Sequence, residues 1–258
     1  MAANAAKSTK KTIPVAIQLY SLRHDCKKDF PGTLKAVAKM GYDGVEFAGY
    51  WNTPAADLRK MLDDLGLKAA GTHIGIETLE GDQLQKTIDF NRTIGNDFLI
   101  VPGLPAERTV SAECWAKTAQ QLEDLANKVA PLGMWVGCHC HKPEFADFGG
   151  RRAWDILYGS TKKVVMQMDT GNALFAGVEP LAFMKKYPGR QQSTHLKECS
   201  ATKEWPLLGD GDINWDGVLA FCASAGDTRW YVIEFENEAY PALESVGKCL
   251  QFVRGKLR

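Results

Sequence analysis

The chain reads as an α/β protein of the (β/α)8 TIM-barrel class, and three observations predict it. Strand-like and helix-like segments alternate without a break from residue 13 to the C-terminus. Eight such pairs fit within 258 residues, the size a closed barrel of eight strand–helix units needs. The first strand runs into Leu22-Arg23-His24-Asp25-Cys26 instead of a glycine-rich turn, so the phosphate cradle typical of an open doubly wound sheet is missing.

The elements follow in order. Residues 13–22 are apolar and β-branched, a strand. Residues 30–41 carry Leu34, Val37, Ala38 and Met40 at helical spacing and stop at Gly41. A strand over 42–49 precedes a helix over 54–66, which has proline at its start and glycine at its end. Strands over 67–75 and 97–103 enclose a helix over 81–95, and Ser111 is placed to cap a long helix over 111–133. Strands then fall at 134–141, 163–171, 190–198 and 229–236, with helices at 150–160, 178–189, 214–226 and 241–257. No shift in composition marks a second domain. Residues 13–258 therefore read as one barrel, and residues 1–12, small, polar and basic, as a disordered lead-in.

Charge and composition narrow the function. Lys+Arg and Asp+Glu both number 31, so no general attraction to a nucleic-acid backbone is expected. No apolar run approaches the roughly 20 residues that span a bilayer, so no membrane partner is expected either. The cysteines number 7, odd and irregularly spaced, which excludes a full disulfide framework and suits the cytoplasm. Export, with the signal removed, is the alternative compartment. A homo-oligomer is compatible with all of this.

In such a barrel the chemistry lies where strands end. Those ends carry Gln18, Tyr20 and Arg23; Glu46; His73; His139, His141 and Glu144; Asp169; His195, Lys197 and Glu198; and Glu234 and Glu236. Buried carboxylates and imidazoles are costly unless paired or bound to a cation. One divalent ion would relieve repulsion among Glu144, Asp169 and Glu234, with His195 completing a mixed nitrogen–oxygen site for Mn, Mg, Co or Zn. Each residue also has an ordinary structural role: Asp169 as a helix cap, His195 as a core histidine, Glu234 as an ion-pair partner of Lys197 or Arg229. Glu46 and His73 are candidates for substrate contact or for orienting a ligand. Lys197 is a candidate for substrate contact or for neutralising the carboxylates. Trp205 is a candidate pocket wall or a locally packed loop residue.

The stretch 137–145, GCHCHKPEF, sets two cysteines and two histidines side by side. Successive strand residues face opposite ways, so His139 and His141 share one face and Cys138 and Cys140 the other. The four cannot converge on one tetrahedral ion, and the cysteines read as small packed residues.

From residue 13 to the C-terminus the chain resembles the sugar phosphate isomerase/epimerase family of xylose-isomerase-like barrels, which includes ketose 3-epimerases and inosose dehydratases. The resemblance is carried by IQLYSLR, GYDGVEFAG, HCHKPEF, MDTGN, GRQQSTHLKE, LGDGDINW and VIEFE, in that order. It implies a metal held by Glu144, Asp169, His195 and Glu234. The His-x-His before Glu144 departs from the epimerases, so His139 or His141 can take the place of Glu144 or act on substrate.

The expected activity is isomerisation or epimerisation of a small-molecule carbohydrate, a sugar or keto-sugar, by proton removal next to a metal-bound carbonyl. Glu144 and Glu234 are the candidate bases on opposite sides of the substrate. A lyase, either a dehydratase or an eliminase of 3-keto-glycosides, would use the same centre, with His141 or His139 protonating the leaving oxygen. An AP-endonuclease-like DNA repair enzyme is opposed by the balanced charge and by 5 histidines in all. A non-catalytic sugar-binding barrel would show no proton exchange.

Overall fold

The computed structural model describes residues 12–204, 206–236 and 240–258. The lead-in up to residue 11 and Trp205 lie outside the described residues. Eight parallel strands close on themselves: β1 (Val15–Gln18), β2 (Gly44–Phe47), β3 (Lys68–His73), β4 (Phe98–Val101), β5 (Trp135–His139), β6 (Val165–Asp169), β7 (Ser193–Leu196) and β8 (Trp230–Ile233). Each pairs with the next, and β8 returns to β1 through Val15↔Tyr231.

The helices are α1 (Arg23–Lys28), α2 (Phe30–Met40), α3 (Ala55–Leu65), α4 (Gln83–Ile94), α5 (Ala112–Val129), α6 (Ala153–Ser160), α7 (Thr170–Phe175), α8 (Pro180–Met184), α9 (Trp215–Ser224) and α10 (Ala242–Lys256). Ser111 Oγ accepts from Cys114 N at 3.1 Å, capping α5 as its sequence predicts. Two short helices, α1 and α7, were not expected. In turn α8 is five residues long where 178–189 was expected. Beyond Met184 the chain tightens into three-residue turns, Lys186 N to Phe183 O and Tyr187 N to Met184 O. Pro188 disfavours an α conformation for the residue before it. Among the described residues no helix is long and apolar enough to cross a membrane.

Strand alternation sorts the core into two layers. Val15, Ile17, Val45, Phe47, Val136, Cys138, Met166 and Met168 face outward against the helices in the main apolar cluster. Inside the barrel, Ala16, Ala70 and Val232 form one small apolar group, and Phe98, Ile100 and Val165 another. Cys140 lies in the outward layer too, its Sγ accepting from Asp169 N at 3.2 Å. Burial pushes both the Cys138 and Cys140 thiols up, so they remain neutral and inert. All seven cysteines are free.

Candidate active site and metal centre

The inward positions at the C-terminal half of the barrel are polar. Register sets Gln18 beside Glu46, His139 beside Gln167 and Asp169 beside His195. The β2–β3 pairing carries one extra residue: Val45 faces Ala69 but Glu46 faces Gly71, so Ala70 is a bulge. The bulge brings Gly71 under the Glu46 carboxylate, where a Cβ would stand 2.4 Å from Oε1. Glycine is what lets that side chain lie across the barrel floor.

Glu46 is fully buried and meets four side chains. Its Oε1 accepts from Gln167 Nε2 at 2.7 Å. Its Oε2 lies 2.8 Å from Gln18 Nε2, 2.6 Å from His195 Nε2 and 3.0 Å from His73 Nε2. Burial opposes its ionisation, but the His73 and His195 rings hold the carboxyl well below the usual range. His73 Nε2 also lies 2.7 Å from Gln167 Oε1, and its ring stacks on His195 with centroids 5.3 Å apart.

Above this floor sits a second layer. His139, Asp169, His195 and Glu234 each offer one nitrogen or oxygen, and the four atoms lie within 4.8 Å of one another. His195 Nδ1 is 2.5 Å from Glu234 Oε2 and 3.8 Å from Asp169 Oδ2. His139 Nε2 is 4.0 Å from the same Asp169 oxygen. Despite burial, Glu46 and Glu234 raise His195 to about 10, so in the metal-free chain it is an imidazolium clamped between two carboxylates. Burial and the neighbouring His195 hold His139 well below the usual histidine range. Burial lifts Asp169 to about 7.

The donor set fits a divalent cation. Asp169 Oδ1 accepts from Asn172 N at 2.7 Å and so caps α7, but the buried Oδ2 has no hydrogen-bond partner. An orphaned carboxylate oxygen is expensive in the interior, and a cation placed among these atoms would satisfy it. Two imidazoles and two carboxylates suit Mn²⁺, Co²⁺ or Zn²⁺, and less well Mg²⁺.

Three of the four expected ligands, Asp169, His195 and Glu234, are thus brought together. At the fourth corner stands His139, the stated alternative to Glu144, and Glu144 does not join the group. Glu144 lies in a short 3-10 turn, Lys142–Phe145, where its Oε2 accepts from His141 N at 2.8 Å. The buried carboxylate borders a narrow pocket that it shares with Trp115, Trp154 and His139. Burial lifts that carboxyl to about 7. His141 is exposed, its ring 4.8 Å from that of His139. Glu46 and His73 contact His195 from below.

A cavity of about 360 Å³ opens beside the centre, lined by Asn172, Phe175, Lys197, Glu234 and Glu236 among others. Lys197 Nζ lies 2.8 Å from Glu236 Oε2 and 3.4 Å from Glu234 Oε1. Burial opposes its charge, but Glu234 and Asp169 hold its proton firmly. Although burial works against it, Lys197 and His195 keep Glu234 well below the usual carboxylate range. Burial and the neighbouring Glu234 raise Glu236. Gln167 and Glu236 were not singled out as site residues. Gln167 lies two positions before Asp169 on β6, so the period of two places both on the same inward face, whereas Glu236 lies past the end of β8 and joins through Lys197.

A model of the xylose isomerase-like TIM barrel family matches residues 34–255. The chain belongs to that family. The chain is 25% identical to an inosose dehydratase of Bacillus thuringiensis, over 88% of this chain and 89% of that protein. Its fold is also that of a sugar phosphate isomerase/epimerase from Parabacteroides distasonis, with a TM-score of 0.83 at 22% identity, covering 100% of both chains. An L-ribulose 3-epimerase superimposes with a TM-score of 0.71 at 14% identity, covering 95% of each.

Proposed function

We propose that this xylose isomerase-like barrel is a divalent-metal-dependent enzyme on a sugar or keto-sugar, isomerising or epimerising it by proton removal next to a carbonyl. One observation carries the reading: His139, Asp169, His195 and Glu234 converge around an Asp169 oxygen with no partner, at the wall of an open cavity. One ion of Mn, Mg, Co or Zn per chain would be held by those four residues and would supply Lewis acidity that makes the adjacent C–H more acidic.

The chain's own groups divide the remaining work. Glu234 turns Oε2 to His195 and Oε1 to Lys197, so Oε1 is the oxygen disposed to take a substrate proton. Lys197 stays charged and donates hydrogen bonds to a substrate hydroxyl or carbonyl oxygen. Glu236, whose carboxyl is raised, is an acceptor for protons passing between that oxygen and solvent. Phe175 and Asn172 wall the cavity and limit water around the reacting carbon. The free thiols support a cytoplasmic setting.

A second reading is elimination: dehydration, or cleavage of a 3-keto-glycoside. It is favoured by the place of Glu144, bonded to His141 N and outside the four-residue group. Lys197, Glu234 and Glu236 line the cavity and Glu144 does not, which suits removal of a proton and a β-oxygen better than two-base epimerisation by Glu144 and Glu234. Similarity to inosose dehydratases points the same way. His141, exposed beside His139, is the candidate donor to the leaving oxygen.

A panel of ketoses and keto-sugars in D₂O with Mn²⁺, followed by NMR, tests both. Deuterium at the carbon beside the carbonyl is expected, lost in Glu234→Gln; an eliminated alcohol or an unsaturated ketone would select the second reading. No exchange with any member of the panel refutes both.

A further inference from the structure

We infer that Glu46 and Gln167 form a positioning pair that fixes the hydrogens on His139 Nδ1 and His195 Nε2, so that His139 Nε2 and His195 Nδ1 are the nitrogens left to face Asp169 Oδ2. The inference builds on the metal centre proposed above, but concerns hydrogen bonds within the chain itself.

An ionised carboxylate only accepts. Glu46 Oε1, at 2.7 Å, therefore requires the amide nitrogen of Gln167. Flipping that amide would press its carbonyl oxygen against the carboxylate. Ser193 Oγ, at 2.8 Å, takes the second amide hydrogen. Gln167 Oε1 is then an acceptor, and the two ring nitrogens facing it must carry hydrogens: His73 Nε2 at 2.7 Å and His139 Nδ1 at 3.1 Å. A neutral imidazole has only one N–H. His139 therefore presents a lone pair at Nε2, the nitrogen facing Asp169 Oδ2.

The same logic governs His195. Its Nε2 donates to Glu46 Oε2 at 2.6 Å. Nδ1 is the nitrogen left for the centre, and it releases its proton when a cation binds, as a nitrogen ligand must. Two different rings thus present opposite nitrogens, Nε2 and Nδ1, to one point because a single pair of side chains lies beneath both. Glu46 and Gln167 are fully buried and do not line the cavity. They act through the histidines.

Long-range ¹H–¹⁵N spectra of the full chain read the tautomers directly. In zinc-loaded protein, His139 should be protonated at Nδ1 and His195 at Nε2. In the metal-free chain, His139 should still carry its proton on Nδ1. Gln167→Met should mix the His139 tautomers, and Gln167→Met and Glu46→Gln should each weaken zinc binding by about 10- to 100-fold in calorimetry. The opposite tautomer at His139 in wild type, with or without zinc, overturns the inference. So do zinc affinities within about two-fold of wild type in both variants. A chain that binds no zinc refutes the metal centre instead, and the metal-free His139 spectrum still decides the tautomer.

Discussion

Replacing Glu144 with glutamine should stabilise the metal-free protein, and more so at pH 8 than at pH 5. Burial lifts this carboxyl from 4.5 to about 7 in the folded chain. In the unfolded chain it titrates near its ordinary value, about 4.3. The folded state therefore binds the proton more tightly, and stability falls as pH rises from the unfolded value through the folded one. At roughly 1.4 kcal/mol per pH unit, the full loss is about 4 kcal/mol, with roughly 2.5 kcal/mol of it between pH 5 and pH 8. The amide in Glu144→Gln would still accept from the His141 N–H and cannot ionise, so the variant lacks this slope. Asp169, also raised to about 7, titrates in both proteins and cancels in the comparison. Urea unfolding in chelator at both pH values measures the gap between them. It should widen by about 2.5 kcal/mol in favour of the variant. A constant gap, or a variant weaker at pH 8, would refute the placement of Glu144 as a buried group outside the cation's reach.

Three further outcomes follow from the geometry. His195→Ala strips the shared imidazolium from Glu46 and Glu234, leaving two buried carboxylates exposed to each other; metal-free stability should drop by about 3–5 kcal/mol in urea, and native mass spectrometry should find no bound ion. Lys197→Met should keep the metal but slow substrate deuterium exchange by about 10²-fold or more, because Glu234 and Glu236 lose the cation between them; an unchanged rate contradicts its role. Cys138 and Cys140 should resist iodoacetamide in the native protein while the less buried Cys114 and Cys199 react first, as peptide mapping would reveal; early labelling of Cys138 or Cys140 contradicts their outward packing.

Much of the barrel was legible because strand and helix periods differ and the helix ends are marked. Gly41 and Gly66 close α2 and α3 at φ 94° and 66°, a conformation other residues avoid. The site was legible where a residue ends a regular strand. Asp169 and His195 lie in register on β6 and β7, so alternation alone aims both inward. Asp169 also resolves what looked like competing roles, cap or ligand, because a carboxylate has two oxygens: Oδ1 caps α7, and Oδ2 faces the centre. Glu144 was not legible. It lies beyond the end of β5, where the period of two no longer applies and a proline-containing turn decides the direction. Gln167 was overlooked because an amide is neither acid, base nor common ligand. Its role appears only when Glu46, 121 positions away along the chain, is found against it.

Anomalous diffraction from a manganese-soaked crystal tests the central claim most directly. One peak per chain should lie between His139 Nε2, Asp169 Oδ2, His195 Nδ1 and the Glu234 carboxylate. A peak coordinated by Glu144 in place of His139 would redraw the centre, and no peak among these residues would contradict the account.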